Sequence, residues 1–474
     1  MPTDLIHSLF SNVWSIFLIV LFFGGSIFVH ELGHFLAARA RGVHVEVFSI
    51  GFGPAIFSWK GADGTRYQVA WLPLGGFVLL PQLADLGPIE GESSVAAADL
   101  PPVSYATKLL VFVAGASFNI LFAFALACVV WVVGQPENNE TLSTEIGYVS
   151  RTIDLPDGTK VVSPAAQGGL RVGDLVRSID GNPISDWEDL HNTLIMGSGR
   201  DANGNPSAVF VVEREGRTLA LTIHPMLSGD ERWRQVGIQP GYDLNVHKVE
   251  AKSAVAMAGL LPGDRIVSVN GAPIRNAAGL GEELSLKPSS PAHLGVLRGA
   301  RALDLVVPPR GAALAVGDIE FLAGYHMTYP SPFAQIDQPF MLTLRTVWEL
   351  INPRSDIGLS KVSGPVGIVH IFHAATEAGL RAVLRFTILI NVNLAVLNLL
   401  PVPVLDGGQI VFATIARLRG RSLPVNIIVA VQSAFMVLIL SMVLYISIFD
   451  VQRWRKETAE SRPQAPAAAA PAKP

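Results

Sequence analysis

The sequence predicts a polytopic α-helical membrane protein with a large polar insert between two pairs of spans. Half of its 474 residues are apolar, only 16% are charged, and the mean hydropathy is +0.41. A soluble protein carries about 25% charged residues, so part of this chain is expected to lie in lipid. The net charge of −4 argues against nucleic acid as a partner. The single cysteine, Cys128, excludes an internal disulfide.

Four uncharged apolar stretches are long enough to cross a bilayer, which takes about 20 mostly apolar residues in a helix. The lipid bilayer is therefore the expected surrounding of these segments. The predicted spans are Asn12–Val29, Leu109–Val133, Phe386–Leu405 and Ser422–Phe449.

Lysine and arginine in short loops set the expected orientation, because they favour the cytoplasmic side. Five of them lie between the first and second spans, and three lie between the third and fourth. Both short loops are therefore expected in the cytoplasm, with the N-terminus, the insert of residues 134–385 and the C-terminus outside. Arg453, Arg455 and Lys456 follow the last span and oppose this placement of the C-terminus.

The polar insert contains an internal repeat with an offset of 90 residues. Its copies, SPAAQGGLRVGDLVRSIDGNPI at 163–184 and SAVAMAGLLPGDRIVSVNGAPI at 253–274, are identical at ten of 22 positions. Each predicts a short helix, a strand (Leu175–Ile179 or Arg265–Val269) and an Asp-Gly or Asn-Gly turn. The pattern resembles the PDZ domain and predicts two α+β copies, over residues 141–228 and 229–312. PDZ domains bind a peptide on a sheet edge; a steric filter without a ligand is the alternative.

The first span leads into the motif His30-Glu31-Leu32-Gly33-His34, which is HExxH. Residues i and i+4 share one face of a helix, so both imidazoles can point at one metal ion while Glu31 reaches a water molecule on that ion. Ionisable groups are costly at lipid depth and are usually functional there. The motif therefore predicts a catalytic zinc site with His30 and His34 as ligands and Glu31 as the general base.

A catalytic zinc takes three protein ligands, and Asp406 is the candidate for the third. It is the first ionisable residue after 20 uncharged ones. Pro401 and Pro403 break the preceding helix, which lipid tolerates only where the backbone lines protein or a wet cavity. The alternative is that Asp406 is an interfacial turn residue or a helix cap.

HExxH in the first span and NxxPxxxLDGG at 398–408 in the third resemble the site-2 protease family of intramembrane zinc metalloproteases. Two PDZ copies between the second and third spans resemble its bacterial regulator of sigma-E protease group. The resemblance implies that His30, His34 and Asp406 bind one Zn²⁺ and that Glu31 is the catalytic base. It implies substrates that are single-pass transmembrane proteins, such as anti-sigma factors shortened by a first protease, and signal peptide remnants. It also implies a bacterial cytoplasmic membrane location, with the active site towards the cytoplasm and the PDZ domains outside.

The resemblance extends to three further features. Residues 46–80 resemble a membrane-reentrant β-hairpin that offers an edge to an unwound substrate; an ordinary cytoplasmic hairpin is the alternative. Asn393 and Asn398 are expected to hold the substrate, or else to join helices by hydrogen bonds. Asn119, in a segment similar to the family's GPxxN with Ala116 for the proline, is a further candidate for substrate binding, and close helix packing is equally open.

The predicted division of the chain has six parts. These are an N-terminal membrane core (1–137), two PDZ domains (141–228 and 229–312), a connecting segment with surface helices (313–378), a C-terminal membrane core (379–450) and a disordered Ala/Pro-rich tail (451–474). Two other functions stay open. A catalytically inactive, membrane-anchored PDZ binding protein would have lost a ligand or the base, and a zinc transporter would need metal ligands along a path across the membrane.

Overall fold

The structure is a computed structural model that describes residues 2–83, 100–155, 159–228, 232–287, 289–309, 316–322, 324–421 and 423–460. Its α-helices are α1 (Pro2–Ala40), α2 (Tyr105–Val133), α3 (Pro164–Gln167), α4 (Trp187–Ile195), α5 (Ala254–Met257), α6 (Ala277–Ser285), α7 (Pro332–Ile351), α8 (Pro365–Ala378), α9 (Leu380–Asn398), α10 (Asp406–Arg419) and α11 (Val425–Glu460).

The strands of the first half are β1 (Val47–Lys60), β2 (Arg66–Leu79), β3 (Gln135–Asn138), β4 (Ile146–Val149), β5 (Thr152–Asp154), β6 (Lys160–Val162), β7 (Leu175–Ile179), β8 (Asn182–Pro183), β9 (Ala208–Arg214) and β10 (Arg217–Ile223). Those of the second half are β11 (Met226–Ser228), β12 (Trp233–Gln235), β13 (Ile238–Pro240), β14 (Leu244–Val249), β15 (Arg265–Val269), β16 (Ala272–Pro273), β17 (Ala292–Arg298), β18 (Arg301–Val307), β19 (Ile319–Phe321) and β20 (Tyr325–Thr328).

The chain divides into two compact units. One, here called the membrane unit, comprises residues 1–135, 329–345 and 359–474, and the other, the insert unit, comprises residues 136–328 and 346–358. Within the described residues, four helices of the membrane unit are long and apolar enough to cross a bilayer: Val13–Ala40, Tyr105–Val133, Leu380–Asn398 and Val425–Lys456. The predicted four-span membrane protein is thereby confirmed.

The ends of the last two spans differ from the prediction. The third helix, α9, ends at Asn398 rather than continuing to Leu405, because Pro401 and Pro403 lack the N–H that would extend the helical hydrogen bonds. The segment between the third and fourth spans, expected to be a loop, contains the helix α10. The fourth helix, α11, continues to Glu460, so the first ten residues of the predicted disordered tail are helical. Their arginine, lysine, glutamate and alanine are good helix formers. Residues 461–474 lie outside the described residues.

The segment predicted as a hairpin over residues 46–80 forms two long bent strands. Residues 47–50 of β1 lie opposite residues 76–79 of β2 in antiparallel register. On its other edge, segment 47–50 lies opposite residues 66–69, from Val47 opposite Arg66 to Ile50 opposite Val69, so the two segments run in the same direction. Residues 66–69 in turn pair with residues 57–60. Four segments therefore lie side by side, with 57–60 and 76–79 outermost.

A glycine permits the bend in β1. Gly51 has φ +89°, in the region where side chains are disfavoured. Beyond it, the β1 residues from Gly53 onward are exposed, whereas Val47–Ser49 are buried. The strands themselves are present, and the insertion of this sheet into the bilayer stays a prediction.

The insert unit contains two modules with separate hydrophobic cores. In each, the predicted strand is present at the predicted bounds, as β7 and β15, and pairs with a long antiparallel hairpin, β9–β10 or β17–β18. The turns after β7 and β15 have positive φ at Asp180 (50°) and Asn270 (49°), each followed by a glycine. Asparagine, aspartate and glycine tolerate this conformation best.

The Gly-Asp pair of the repeat has the same structural role in both modules. Asp174 is fully buried and accepts two hydrogen bonds of 2.7 Å from the Arg214 guanidinium, and a third from the Arg171 N–H. Asp264 accepts the equivalent bonds from Arg298 and the Leu261 N–H. A buried carboxylate is stabilised only when it is paired in this way, which accounts for the aspartate in both copies.

The boundary between the modules differs from the prediction. β13 pairs with β4, and Val236 belongs to the first core, so the first module continues to Pro240 rather than ending at 228. In the second module β19 pairs with β14, beyond the predicted end at 312. These closing strands follow segments without repeat similarity, which is why the repeat alone did not reveal them.

In the membrane unit, a buried carboxylate joins α11 to the start of α8. Asp450 accepts hydrogen bonds from the N–H groups of Gly364 (3.0 Å) and Gly367 (2.8 Å). A Cβ on either glycine would press against the Asp450 carboxylate. The negative charge therefore caps the positive end of α8.

Candidate metal centre

The HExxH motif lies within α1, near its carboxyl end. His34 follows His30 by four positions, so their rings lie on one face, with centroids 4.7 Å apart and Nε2 atoms 3.1 Å apart. The helix ends at Ala40, and Gly42, two residues further on, adopts φ +71°. Both rings are largely buried, with side-chain exposures of 13% and 10%.

Asp406 reaches these rings because it is the first residue of α10. After α9 ends, a tight turn runs from 399 to 405, and α10 starts directly against it. A Cβ on Gly407 would overlap the Leu399 and Leu400 carbonyls, and one on Gly408 would overlap the Val402 carbonyl. The two glycines after the aspartate therefore allow the close approach that places its carboxylate.

The three groups converge on a space the size of one metal ion. Asp406 Oδ2 lies 3.3 Å from His30 Nε2 and 3.4 Å from His34 Nε2. Ligand atoms of a tetrahedral zinc lie about 3.3–3.5 Å apart, given bonds of about 2.0–2.2 Å. Asp406 Oδ2 is buried and has no hydrogen-bond partner among the described residues. Two imidazoles and a carboxylate are also the donor types that zinc prefers, so the residues fit a zinc ion.

Helix α2 packs against the outer sides of both rings. Val111, Gly115 and Asn119 lie on one face of α2, at spacings of four residues. The Val111 carbonyl accepts a hydrogen bond of 2.8 Å from His34 Nδ1, and Asn119 Nδ2 lies 3.3 Å from His30 Nδ1. A Cβ on Gly115 would overlap His34 Nε2. The glycine therefore lets α2 approach the metal ligands.

The asparagines predicted to hold substrate occupy three different environments. Asn398 lies at the centre, with its Nδ2 3.4 Å from His30 Nε2. Asn119 also lies at the centre, but on the buried side of His30. Asn393 instead accepts a hydrogen bond of 2.5 Å from the Thr343 hydroxyl of α7. Five residues along a helix give a rotation of about 140°, so Asn393 and Asn398 point in different directions.

Glu31 borders a small cavity beside the three candidate ligands. The cavity has a volume of about 140 Å³ and is also lined by Gly76, Phe77 and Gln409. A Cβ on Gly76 would lie 2.9 Å from Glu31 Cγ. Gly76, at the start of the outer segment 76–79 of the sheet, therefore packs directly against Glu31.

Sequence reasoning did not identify the role of Val111, and it offered close helix packing through Gly115 only as an alternative. The spacing of Gly115 and Asn119 in the second span was a usable signal for a face of α2 turned towards polar groups. A backbone carbonyl such as that of Val111 leaves no signal in the sequence. Gly76 was part of the predicted hairpin, but its contact with Glu31 depends on the bend of the sheet.

Comparisons with known proteins agree with this geometry. Residues 17–442 match the family described as Peptidase family M50. The regulator of sigma-E protease RseP of Salmonella typhimurium (strain 14028s) is 31% identical over 436 residues, which cover 86% of this chain and 92% of the relative. RseP of Escherichia coli K12 is 29% identical over 438 residues, with the same coverage. A Vibrio cholerae protein named as a zinc metalloprotease is 27% identical over 442 residues, covering 87% of this chain and 92% of the relative.

Four candidate spans and these relatives define the class of protein: a membrane protein that is a zinc-dependent metalloendopeptidase. The chain belongs to peptidase family M50, the site-2 protease family. The predictions of this family, of a metalloendopeptidase and of zinc as the cofactor are confirmed.

Proposed function

We propose that this chain cleaves single-pass transmembrane segments within the bilayer, at a zinc ion held by His30, His34 and Asp406. The observation that carries the proposal is the mutual separation of 3.1–3.4 Å among the three donor atoms. The centre is built on α1, α9 and α10 of the membrane unit, of which α1 and α9 are candidate spans. A zinc ion bound there supplies Lewis-acid chemistry that makes a water molecule nucleophilic near neutral pH.

Glu31 is the proposed general base. It lies one residue after His30, about 100° further around the helix, and borders the cavity into which a peptide carbonyl would enter. One oxygen of the Glu31 carboxylate accepts a proton from the attacking water, and the resulting carboxylic acid then donates that proton to the nitrogen of the leaving amine. Asn398, whose amide nitrogen faces the centre, is the proposed donor that holds the substrate backbone.

The outer segment 76–79 is the proposed docking edge for the substrate. A helix must unwind before its scissile carbonyl becomes accessible, and its freed backbone groups then need partners. An edge strand provides such partners, and this one lies against Glu31. Exposed aromatic residues on the sheet, Phe57 (63%), Trp59 (49%) and Trp71 (69%), support its insertion at the membrane.

The two modules of the insert unit are proposed to be PDZ domains that lie outside the cytoplasm. Their proposed role is to exclude substrates with intact bulky outer domains, or to bind a peptide. The repeated helix, strand and tight turn support the assignment. The charge bias of the short loops supports the orientation, with the active site towards the cytoplasm of a bacterium. Proposed substrates are anti-sigma factors after a first cleavage and signal peptide remnants, by analogy with relatives named as regulators of sigma-E proteases.

The test compares wild type with Glu31→Gln in the purified full-length chain, reconstituted with a single-pass transmembrane substrate. We expect Glu31→Gln to retain one zinc per chain, measured by elemental analysis, and to lose cleavage by about 10²–10⁴-fold, which is the usual contribution of general base catalysis. Glu213→Gln is the matched control, because the Glu213 side chain, among the described residues, forms an exposed ion pair with Arg177 in the insert unit and no other. It should leave both quantities unchanged.

Each alternative predicts a different outcome. Normal turnover by Glu31→Gln would contradict the proposed base. A wild-type protein that binds zinc and a peptide but never cleaves would favour an inactive PDZ binding protein. Zinc uptake into sealed vesicles without proteolysis would favour a transporter. All four predicted catalytic groups are present in the sequence, so neither alternative is favoured.

A further inference from the structure

Both histidines at the centre turn the same nitrogen inward. Their Nε2 atoms face each other and Asp406 Oδ2, whereas their Nδ1 atoms face α2. A neutral imidazole carries its single proton on one nitrogen. To bind a metal through Nε2, each ring must carry that proton on Nδ1, and each Nδ1–H then needs an acceptor on α2.

The acceptor for His34 is the Val111 carbonyl, at 2.8 Å. The group that faces His30 Nδ1 is the side-chain amide of Asn119, with Nδ2 at 3.3 Å. An amide nitrogen can only donate, so in this orientation it favours the His30 tautomer whose Nε2 carries the proton and cannot bind metal. Asn119 Oδ1 is buried and has no hydrogen-bond partner among the described residues.

A half-turn of the Asn119 amide exchanges these two atoms. The oxygen and nitrogen of an amide have nearly the same size, so the half-turn requires no change in the surrounding packing. Oδ1 then faces Nδ1 and can accept its proton, which leaves the His30 Nε2 lone pair directed at the centre. Outer hydrogen bonds of this kind fix the tautomer and orientation of metal-binding histidines.

We infer that Asn119 is a positioning residue for the metal, whose side-chain oxygen holds His30 in its metal-binding tautomer. The inference rests on the proposed function, because it requires His30 to be a ligand. It replaces the predicted substrate-binding role of Asn119: this side chain is 0% exposed and is not among the described residues that line the cavity beside Glu31.

The test measures the zinc dissociation constant of the purified full-length chain by competition with a chelating dye. Asn119→Leu removes the acceptor while keeping four side-chain heavy atoms with the same branching, and we expect the dissociation constant to rise about 10–100-fold, the usual effect of losing an outer partner of a ligand. Asn119→Asp keeps an oxygen towards Nδ1 and should stay near wild type. If Asn119→Leu does not fold, Asn119→Val provides a smaller apolar replacement.

Asn391→Leu is the matched control. Asn391 is also 0% exposed, has an Oδ1 without a partner among the described residues, and donates to Ser26 of α1. Its replacement should lower thermal stability without changing zinc affinity. A dissociation constant for Asn119→Leu within twofold of wild type would overturn the inference, as would equal losses for Asn119→Leu and Asn119→Asp.

His30→Ala separates this inference from the proposed function. If His30→Ala leaves the zinc dissociation constant unchanged, His30 is not a ligand and the proposed function fails. If His30→Ala abolishes zinc binding while Asn119→Leu matches the Asn391→Leu control, only the inference about Asn119 fails.

Discussion

Gly115 tests how closely α2 must approach the metal ligands. Gly115→Ala adds one methyl group, which would lie 2.7 Å from His30 Cε1 and even closer to His34 Nε2. Carbon and nitrogen atoms normally stay about 3.5 Å or more apart, so the rings or the helix must shift by roughly 1 Å. Overpacking of this kind costs about 1–3 kcal/mol.

The cost of the added methyl group should appear in metal affinity, because a shift of the rings displaces their Nε2 atoms and a shift of α2 draws the Val111 carbonyl away from His34 Nδ1. Since 1.4 kcal/mol corresponds to a tenfold change in an equilibrium constant, the zinc dissociation constant of Gly115→Ala should rise about 5–150-fold. The assay is competition with a chelating dye, combined with cleavage of a transmembrane substrate at saturating zinc. Cleavage should remain impaired there, because the rings stay displaced.

Gly25→Ala is the control for Gly115→Ala. Gly25 lies in α1, and no atom of the part of the chain that the structure describes lies within 4 Å of an added Cβ. Alanine in a helix is favoured over glycine by about 0.5–1 kcal/mol, so this variant should be slightly more stable with unchanged zinc affinity. Wild-type zinc affinity and turnover in Gly115→Ala would refute the close approach of α2 to the rings.

Two further predictions concern stability. The Arg298 hydrogen bonds lower the pKa of Asp264 from its ordinary value near 3.8. The charged carboxylate therefore stabilises the second module above that pH, and this stabilisation is lost as the pH falls through the lower folded-state pKa. Asp264→Asn should make hydrogen-exchange protection in β15 less sensitive to acid, and an unchanged acid dependence would contradict the role given to Asp264. Asp450→Ala leaves two N–H groups at the start of α8, those of Gly364 and Gly367, without their acceptor, each at a cost of about 1–3 kcal/mol. The melting temperature should therefore fall, whereas the exposed-site variant Glu377→Ala should melt like wild type.

The candidate ligands could be predicted because their signals are local. HExxH fixes two imidazoles by helical spacing alone, and Asp406 stood out as the first ionisable residue after a long uncharged stretch. Pro401 and Pro403 indicate a break in the third span, but the length of the apolar run predicts a span that continues past Asn398, where the helix ends. Apolar composition indicates burial in lipid and does not distinguish a helix from a tight turn enclosed by protein.

The remaining features depend on contacts between distant segments. The sheet of β1 and β2 folds back on itself through pairs of residues on both edges of 47–50, which strand patterns do not encode. Asn393 and Asn398 have the same side chain in the same helix, and only the neighbouring helices decide which one faces the centre. The strands that close each module likewise pair with partners far away in sequence.

X-ray absorption at the zinc edge tests most directly whether His30, His34 and Asp406 hold one ion. In the purified full-length chain with one bound zinc, we expect a first shell of two imidazole nitrogens with oxygen atoms completing it. Asp406→Ala should lose oxygen scattering or zinc itself. A first shell with fewer than two imidazoles, or a spectrum unchanged by Asp406→Ala, would contradict the account.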